Sequence, residues 1–261
     1  MRLIDSGEVR LAVHEQGDPA KPTIVFLHGY PDDHHVWDRV VPLLGGYHIV
    51  RYDVRGAGAS TAPRSPGGYL LDRLAADMDA VLDAVGKPKI HLVGHDWGSI
   101  QGWYFLGRSD RFASFTTIGG PGLDQAAAFF RQARPSRVLG QLLRSWYIAG
   151  FQLPVLPELV VTRLARPLGA NAADARNGLN LYRANMLTRL RRPGDPRVRT
   201  PVQLIRCTRD PFVSPWLLAS LGQWAPAFTH ERLVADHWPQ RTRPEAVAKL
   251  VAAFADRWNA S

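Results

Sequence analysis

Five residues constrain this chain more than any others: Gly94-His95-Asp96-Trp97-Gly98. They lie between the apolar run Ile90 to Val93 and a stretch of helical composition, Trp97 to Leu106. A chain that leaves a buried strand and enters a helix within one or two residues must turn sharply. The central residue of such a turn is held in strained backbone geometry, and its side chain projects from the sheet edge. Residues two before and two after crowd the turn and must be small, and both are glycine here. The side chain so displayed is the carboxylate of Asp96, where a serine would serve acyl chemistry. Ser99, three residues further on, is off the centre of the turn.

The flanking sequence alternates short apolar runs with helical periodicity. Val9 to Gln16 alternates in strand fashion, and Thr23 to Leu27 and Tyr47 to Tyr52 are apolar runs. From Leu70 to Val85, Leu71, Leu74, Met78, Val81, Leu82 and Val85 recur at helical spacing, and Gly86 supplies a left-handed end. Ile90 to Val93, helix 97–106 and Phe115 to Ile118 continue the alternation, which implies a mostly parallel sheet with helices on both faces. After Gly119-Gly120-Pro121-Gly122 the pattern breaks. From about Ala126 to Leu190 the chain reads as helices separated by Pro135, Pro154, Pro157 and Pro167. Strands return at Val202 to Cys207 and Thr229 to Val234, and a helix from Pro244 to Trp258 closes the sequence. The expectation is an α/β core from 1–120 and 196–261, with 121–195 forming a helical cap over the carboxyl edge of the sheet. That edge is where open α/β sheets bind ligands.

Composition removes several classes. A chain of 261 residues supports one sizeable core, and 46% hydrophobic against 21% charged residues is incompatible with global disorder. The formal charge of +9 raises nucleic acid as a partner, but the basic residues are scattered. The one cluster, Arg189, Arg191, Arg192, Arg197 and Arg199, is broken by Pro193, Gly194 and Pro196 and lacks the interleaved aromatics on which single strands stack. It reads as a basic linker, and no nucleic acid is expected. The single cysteine, Cys207, excludes an intramolecular disulfide and a thiolate metal site, and it reads as a buried thiol. The N-terminal residues lack a signal core, and no run approaches the length of a membrane span. A cytoplasmic protein without an integral membrane segment is therefore expected.

Three further loops follow apolar runs. His28-Gly29-Tyr30-Pro31-Asp32 places the Tyr30 N–H where it can serve a developing oxyanion, with the Trp97 N–H as second donor; His28 reads as structural. Asp53-Val-Arg-Gly-Ala-Gly-Ala-Ser60 contains Gly-Ala-Gly but not the dinucleotide fingerprint, and reads as a structural loop. Asp210 and His237 follow the last two strands, completing the order nucleophile, acid, histidine, with Asp210 orienting His237. His14, His34, His35, His48, His91 and His230 hold no comparable position, and His34-His35 lacks metal-ligand spacing. No metal and no organic cofactor is expected.

Together, H-G-Y-P-D, D-V-R-G-A-G-A-S and G-H-D-W-G resemble the α/β-hydrolase-fold epoxide hydrolases and their relatives, the haloalkane and haloacid dehalogenases, from about Val9 to Trp258. The resemblance implies an α/β-hydrolase fold with an inserted helical lid. It also implies hydrolysis of an epoxide to a vicinal diol through an alkyl ester on Asp96. Two lid tyrosines are implied as donors to the epoxide oxygen: Tyr147, four residues before Phe151-Gln152, and Tyr182, within Asn180-Leu-Tyr-Arg183. Dehalogenases usually carry Asn after the His-Gly pair, where this chain has Tyr30. Dehalogenation by the same Asp96 and a non-catalytic binding protein are the alternatives. The chain is also similar to the hydrolase half of bacterial proteins fused to a short-chain dehydrogenase, whose dinucleotide fingerprint this sequence does not contain. One departure is Asp236, where the family usually has glycine; it is expected to compete with Asp210 for His237. The apolar residues of the lid region, Leu139, Leu142, Leu143, Trp146, Val155 and Leu156 together with Phe129, Phe130, Ile148 and Phe151, are expected to pack the lid on the sheet or line a pocket. The expected partners are a small hydrophobic epoxide and water, with a homodimer left open.

Overall fold

The computed structural model describes residues 1–165 and 170–259. Its strands are β1 (Arg2–Ser6), β2 (Val9–Gln16), β3 (Thr23–Leu27), β4 (His48–Tyr52), β5 (Ile90–His95), β6 (Phe112–Ile118), β7 (Val202–Cys207) and β8 (Phe228–Leu233). They form one sheet in the order β1-β2-β4-β3-β5-β6-β7-β8. β2 pairs antiparallel with β1 and β4, and every other pairing is parallel. The central strands carry apolar side chains on both faces because both are covered: every residue of β3 and β5 is buried. Alternate residues of β3 serve opposite cores. Val25 and Leu27 pack with Leu74, Met78 and Val81 of α1 (Leu71–Val85) and Trp103 of α2 (Trp97–Leu106). Ile24 and Phe26 pack with Trp37, Val93 and Val247 on the other face.

Helix α2, β7 and the closing helix keep the bounds expected from sequence, and Gly86 ends α1 at φ 71°. β5 runs two residues further than its apolar run, because the ladder to β6 continues through Gly94↔Thr117 and His95↔Ile118. The edge strand β1 carried no signal: five mostly exposed residues paired on one side only give little alternation to read.

Among the described residues five helices lie between β6 and β7: α3 (Leu123–Gln132), α4 (Pro135–Arg144), α5 (Trp146–Phe151), α6 (Leu156–Ala165) and α7 (Ala172–Arg191). Pro135 and Pro157 stand in the first turns of α4 and α6, where a missing N–H costs nothing. Pro167 lies outside the described residues. The chain from Arg192 to Thr200 forms no helix or strand, in keeping with a linker, and Cys207 is buried. Among the described residues no helix is long and apolar enough to cross a membrane.

The expected inward packing of the apolar residues in this region needs correction. Phe129 is buried, but Leu139, Leu142, Leu143, Trp146, Val155 and Leu156 are all exposed. The cause lies in the register of α4. Its buried residue is Gln141, whose amide donates to Ser145 Oγ (2.7 Å) and Phe212 O (2.9 Å) and whose carbonyl accepts from Ser214 N (2.7 Å). Satisfying that polar side chain turns the leucines of the helix outward.

Candidate active site

Asp96 sits between β5 and α2 with φ 51° and ψ −117°. A non-glycine residue at positive φ is strained by roughly 1–3 kcal/mol and persists only where its surroundings enforce it. The crowding is severe. A Cβ on Gly98 would stand 2.2 Å from Leu27 O, and one on Gly94 would stand 2.6 Å from Gly98 O. A Cβ on Gly120, after β6, would stand 2.2 Å from Asp96 O. The glycines read from sequence are therefore the ones that admit the turn.

The two carboxylate oxygens of Asp96 have different neighbours. Oδ1 accepts from the Tyr30 N–H at 2.8 Å, and Oδ2 lies 3.6 Å from His237 Nε2. Trp97 is the first residue of α2, and first-turn amides have no partner within a helix. Behind His237, Nδ1 is 2.8 Å from Asp210 Oδ2. Asp210 is fixed in turn: its Oδ1 accepts from the amides of Phe212 (2.8 Å) and Val213 (3.2 Å). The ends of β3, β5, β7 and β8 thus bring Tyr30, Asp96, Asp210 and His237 together.

The electrostatics favour an imidazolium between two carboxylates. Burial disfavours the His237 cation, but the hydrogen bond to Asp210 and the charges of Asp210 and Asp96 outweigh it and hold the pKa up at about 10. Burial pushes the Asp210 carboxyl up, yet the hydrogen bond and charge of His237 and the two backbone amides leave it below the usual carboxylate range.

Asp236 does not compete for the imidazole. It is exposed, and its Oδ1 accepts from Trp238 N (3.0 Å) and Thr242 Oγ1 (3.3 Å), at the start of the short helix Pro239–Thr242. Neighbouring side chains leave the backbone on different sides, so the expected interference is absent.

Both tyrosines singled out from sequence stand over the site. Tyr182 of α7 is buried, with ring centroids 5.0 Å from Trp97, 5.4 Å from Tyr30 and 5.0 Å from Phe151. Tyr147 of α5 lies 6.4 Å from Tyr182 and 5.7 Å from Phe212. Burial first, and then the charge of Asp96, raise both phenols, so both hydroxyls keep their protons. Tyr30 links the sheet to α7. Its hydroxyl donates to Ala175 O (2.9 Å), and its ring occupies space that a Cβ on Gly178 would invade at 2.4 Å.

Two residues of the site escaped the sequence reading. His95 is fully buried, and its Nε2 donates to the His237 carbonyl at 2.7 Å. Burial pulls its pKa down to about 3, so it is a neutral donor that ties the histidine loop to the elbow. The G-H-D-W-G motif contained it without indicating that contact. Phe212 stacks edge-on against His237 at 4.8 Å, and nothing in the sequence beyond its nearness to Asp210 marked it. His28 is structural as expected: Nε2 accepts from Val54 N (2.9 Å) and Nδ1 donates to Gly29 O (2.9 Å).

Asp53 is also structural. It accepts from His34 Nδ1 (2.7 Å), His34 N (2.9 Å) and Ala59 N (2.9 Å). The sheet brings His14 beside this pair, a proximity that spacing in the sequence concealed. The two imidazoles stack at 3.6 Å and 17°. A metal bound to both would have to lie in both ring planes, and nearly parallel planes do not meet there.

The model of the alpha/beta hydrolase fold family matches residues 22–145. The crystal structure of an epoxide hydrolase from Bacillus megaterium, in complex with an inhibitor, superimposes with a TM-score of 0.80 at 25% identity, over 98% of this chain and 100% of that one. The chain has the α/β-hydrolase fold and is similar in sequence and in structure to proteins named epoxide hydrolases. It is 36% identical, over 98% of its length and 49% of the relative's, to a probable oxidoreductase, EphD, of Mycobacterium tuberculosis. It is 37% identical, over 60% of its length and 49% of the relative's, to epoxide hydrolase A of the same species. The chain thus spans about half the length of the curated relatives it matches first.

Proposed function

We propose that this α/β-hydrolase-fold chain hydrolyses epoxides to vicinal diols through a covalent ester on Asp96. One observation carries the reading: a carboxylate occupies the strained elbow, with one oxygen bonded to the Tyr30 amide and the other facing His237 and Asp210. A carboxylate needs no deprotonation to displace an oxygen from a strained sp³ carbon, whereas a serine would.

In the first step Asp96 Oδ2 attacks an epoxide carbon and the ring C–O bond breaks. Tyr147, half-buried, and Tyr182, buried, are both protonated; they hydrogen-bond the leaving oxygen, and one of them supplies its proton. The product is a 2-hydroxyalkyl ester of Asp96. Esterification removes the Asp96 charge, one of the influences that keep His237 protonated, so the imidazole pKa falls; the proton it gives up restores the phenol that protonated the leaving oxygen, and neutral His237 becomes a base. His237, held by Asp210, then takes a proton from water as the water oxygen adds to Asp96 Cγ. The oxyanion forms on Oδ1, where the amides of Tyr30 and Trp97 receive it, each donor contributing about 2.7–4 kcal/mol. Collapse releases the diol and regenerates the carboxylate. This chemistry needs no metal and no organic cofactor. Residues 121–195 act as the lid that supplies both tyrosines and an aromatic lining suited to an apolar epoxide.

Similarity to proteins named epoxide hydrolases, and Tyr30 at a position where dehalogenases usually have Asn, support this chemistry over dehalogenation. The test is incubation with styrene oxide and, separately, with a haloalkane, following diol and halide. Diol from the epoxide is expected. Halide release without diol would assign dehalogenation, and folded protein that yields neither would favour a binding role.

A further inference from the structure

The outward faces of α4, α5 and α6 are apolar and meet solvent. Running from α4 into α5, Leu139, Leu142, Leu143 and Trp146 repeat at the i, i+3, i+4, i+7 spacing of one helical stripe. Leu143 is 67% exposed and Trp146 73%. On α6, exposed Leu156, Leu159, Val160 and Leu164 form a second stripe, and exposed Leu153 and Val155 lie in the connection between them. A surface helix of a globular domain turns its apolar stripe inward. α4 does the reverse, burying Gln141 and presenting its leucines. Exposed apolar stripes on consecutive helices, joined by the exposed Leu153 and Val155, mark an interaction face.

Charge identifies the partner. From Arg134 to Ala165 the chain carries four basic residues, Arg134, Arg137, Arg144 and Arg163, and one acid, Glu158. That acid is bound to Arg183 at 2.6 Å, so it offers little to a partner. Arg137 and Arg163 are exposed on the same helices as the leucines, and Arg134 is exposed at the start of α4. Two copies meeting on this face would set arginine against arginine with no acid between them, an arrangement that suppresses association. Leucines and an exposed tryptophan flanked by arginines match an interfacial helix face, whose apolar side enters the acyl boundary while its cations meet anionic headgroups.

We propose that α4–α6 dock this chain on the surface of an anionic lipid bilayer, lying on it rather than crossing it. Tyr147, next to Trp146 in α5, turns inward towards Tyr182, so one helix carries both the docking face and the candidate site. Docking itself does not depend on the epoxide reading.

The test is co-sedimentation of the purified chain with vesicles of phosphatidylcholine alone and of phosphatidylcholine mixed equally with phosphatidylglycerol, at low and high salt. The protein is expected to sediment with the mixed vesicles, weakly with phosphatidylcholine alone, and less at high salt. The double variant Leu143→Asp/Leu156→Asp should lose about tenfold or more in partition. Its circular dichroism and its activity on a water-soluble epoxide should be unchanged. Arg137→Gln/Arg163→Gln should weaken binding to the anionic vesicles only. Folded protein that stays in the supernatant with both vesicle types overturns the proposal, as does equal binding by the leucine variant. A concentration-dependent dimer that the leucine variant abolishes, without vesicle binding, assigns the face to a second copy instead.

Discussion

Asp96, His237 and Asp210 make a buried row of alternating charge, and its protonation has consequences for stability as well as chemistry. The His237 pKa rises from 6.5 to about 10 on folding. A group whose folded pKa is raised contributes stability that is fully present below its unfolded pKa and is lost as pH rises through the folded one. The melting temperature should therefore fall between pH ~7 and ~10 through this residue, and the fall should be shallower in His237→Gln. A pH series of thermal melts on both proteins checks this; parallel curves would contradict it. In the catalytic cycle His237→Gln should still be alkylated but should deacylate at least about 100-fold more slowly. Intact-mass spectrometry should then find the protein heavier by one substrate. The three residues were legible in sequence because each follows an apolar run that becomes a strand, in an order the fold repeats. His95 and Phe212 were not, since their roles rest on contacts to residues more than a hundred positions away and to a ring across the site. Asp236 misled because adjacency in sequence was taken for adjacency of side chains.

At the scale of elements, α5 and α7 present the two phenols and fix Tyr30. Tyr147→Phe and Tyr182→Phe should each slow alkylation by roughly 100-fold, with ester hydrolysis little changed, in rapid-quench kinetics. Gly178→Ala discriminates packing from propensity. In a helix interior the change should add about 1 kcal/mol of stability. Here the new Cβ meets the Tyr30 ring at 2.4 Å, so a lower melting temperature and a lower kcat/KM are expected, because the Tyr30 amide holds Asp96. Gln141→Leu would strand the Ser214 N–H and the Phe212 carbonyl, costing about 1–3 kcal/mol in denaturant unfolding. The helices of this region were legible from their periodicity and prolines. Which face of α4 points inward was not, because an amphipathic pattern shows that two faces differ without saying which one meets protein. One buried glutamine reversed it.

For the whole molecule, the sheet does two jobs. Its buried central strands are visible in sequence as short, largely apolar runs, and their carboxyl ends converge on one edge where loops distant in sequence meet. The exposed edge strand β1 was invisible for the converse reason. The net charge of +9 is scattered along the sequence and gives no footprint there. A single turnover in oxygen-18 water tests whether Asp96 bonds covalently to substrate. With enzyme in excess over styrene oxide, the account predicts that the heavy isotope enters the Asp96 carboxylate while the first diol released carries none. Label in that first diol, with an unlabelled Asp96 peptide, would mean that water attacks the epoxide directly and would contradict it.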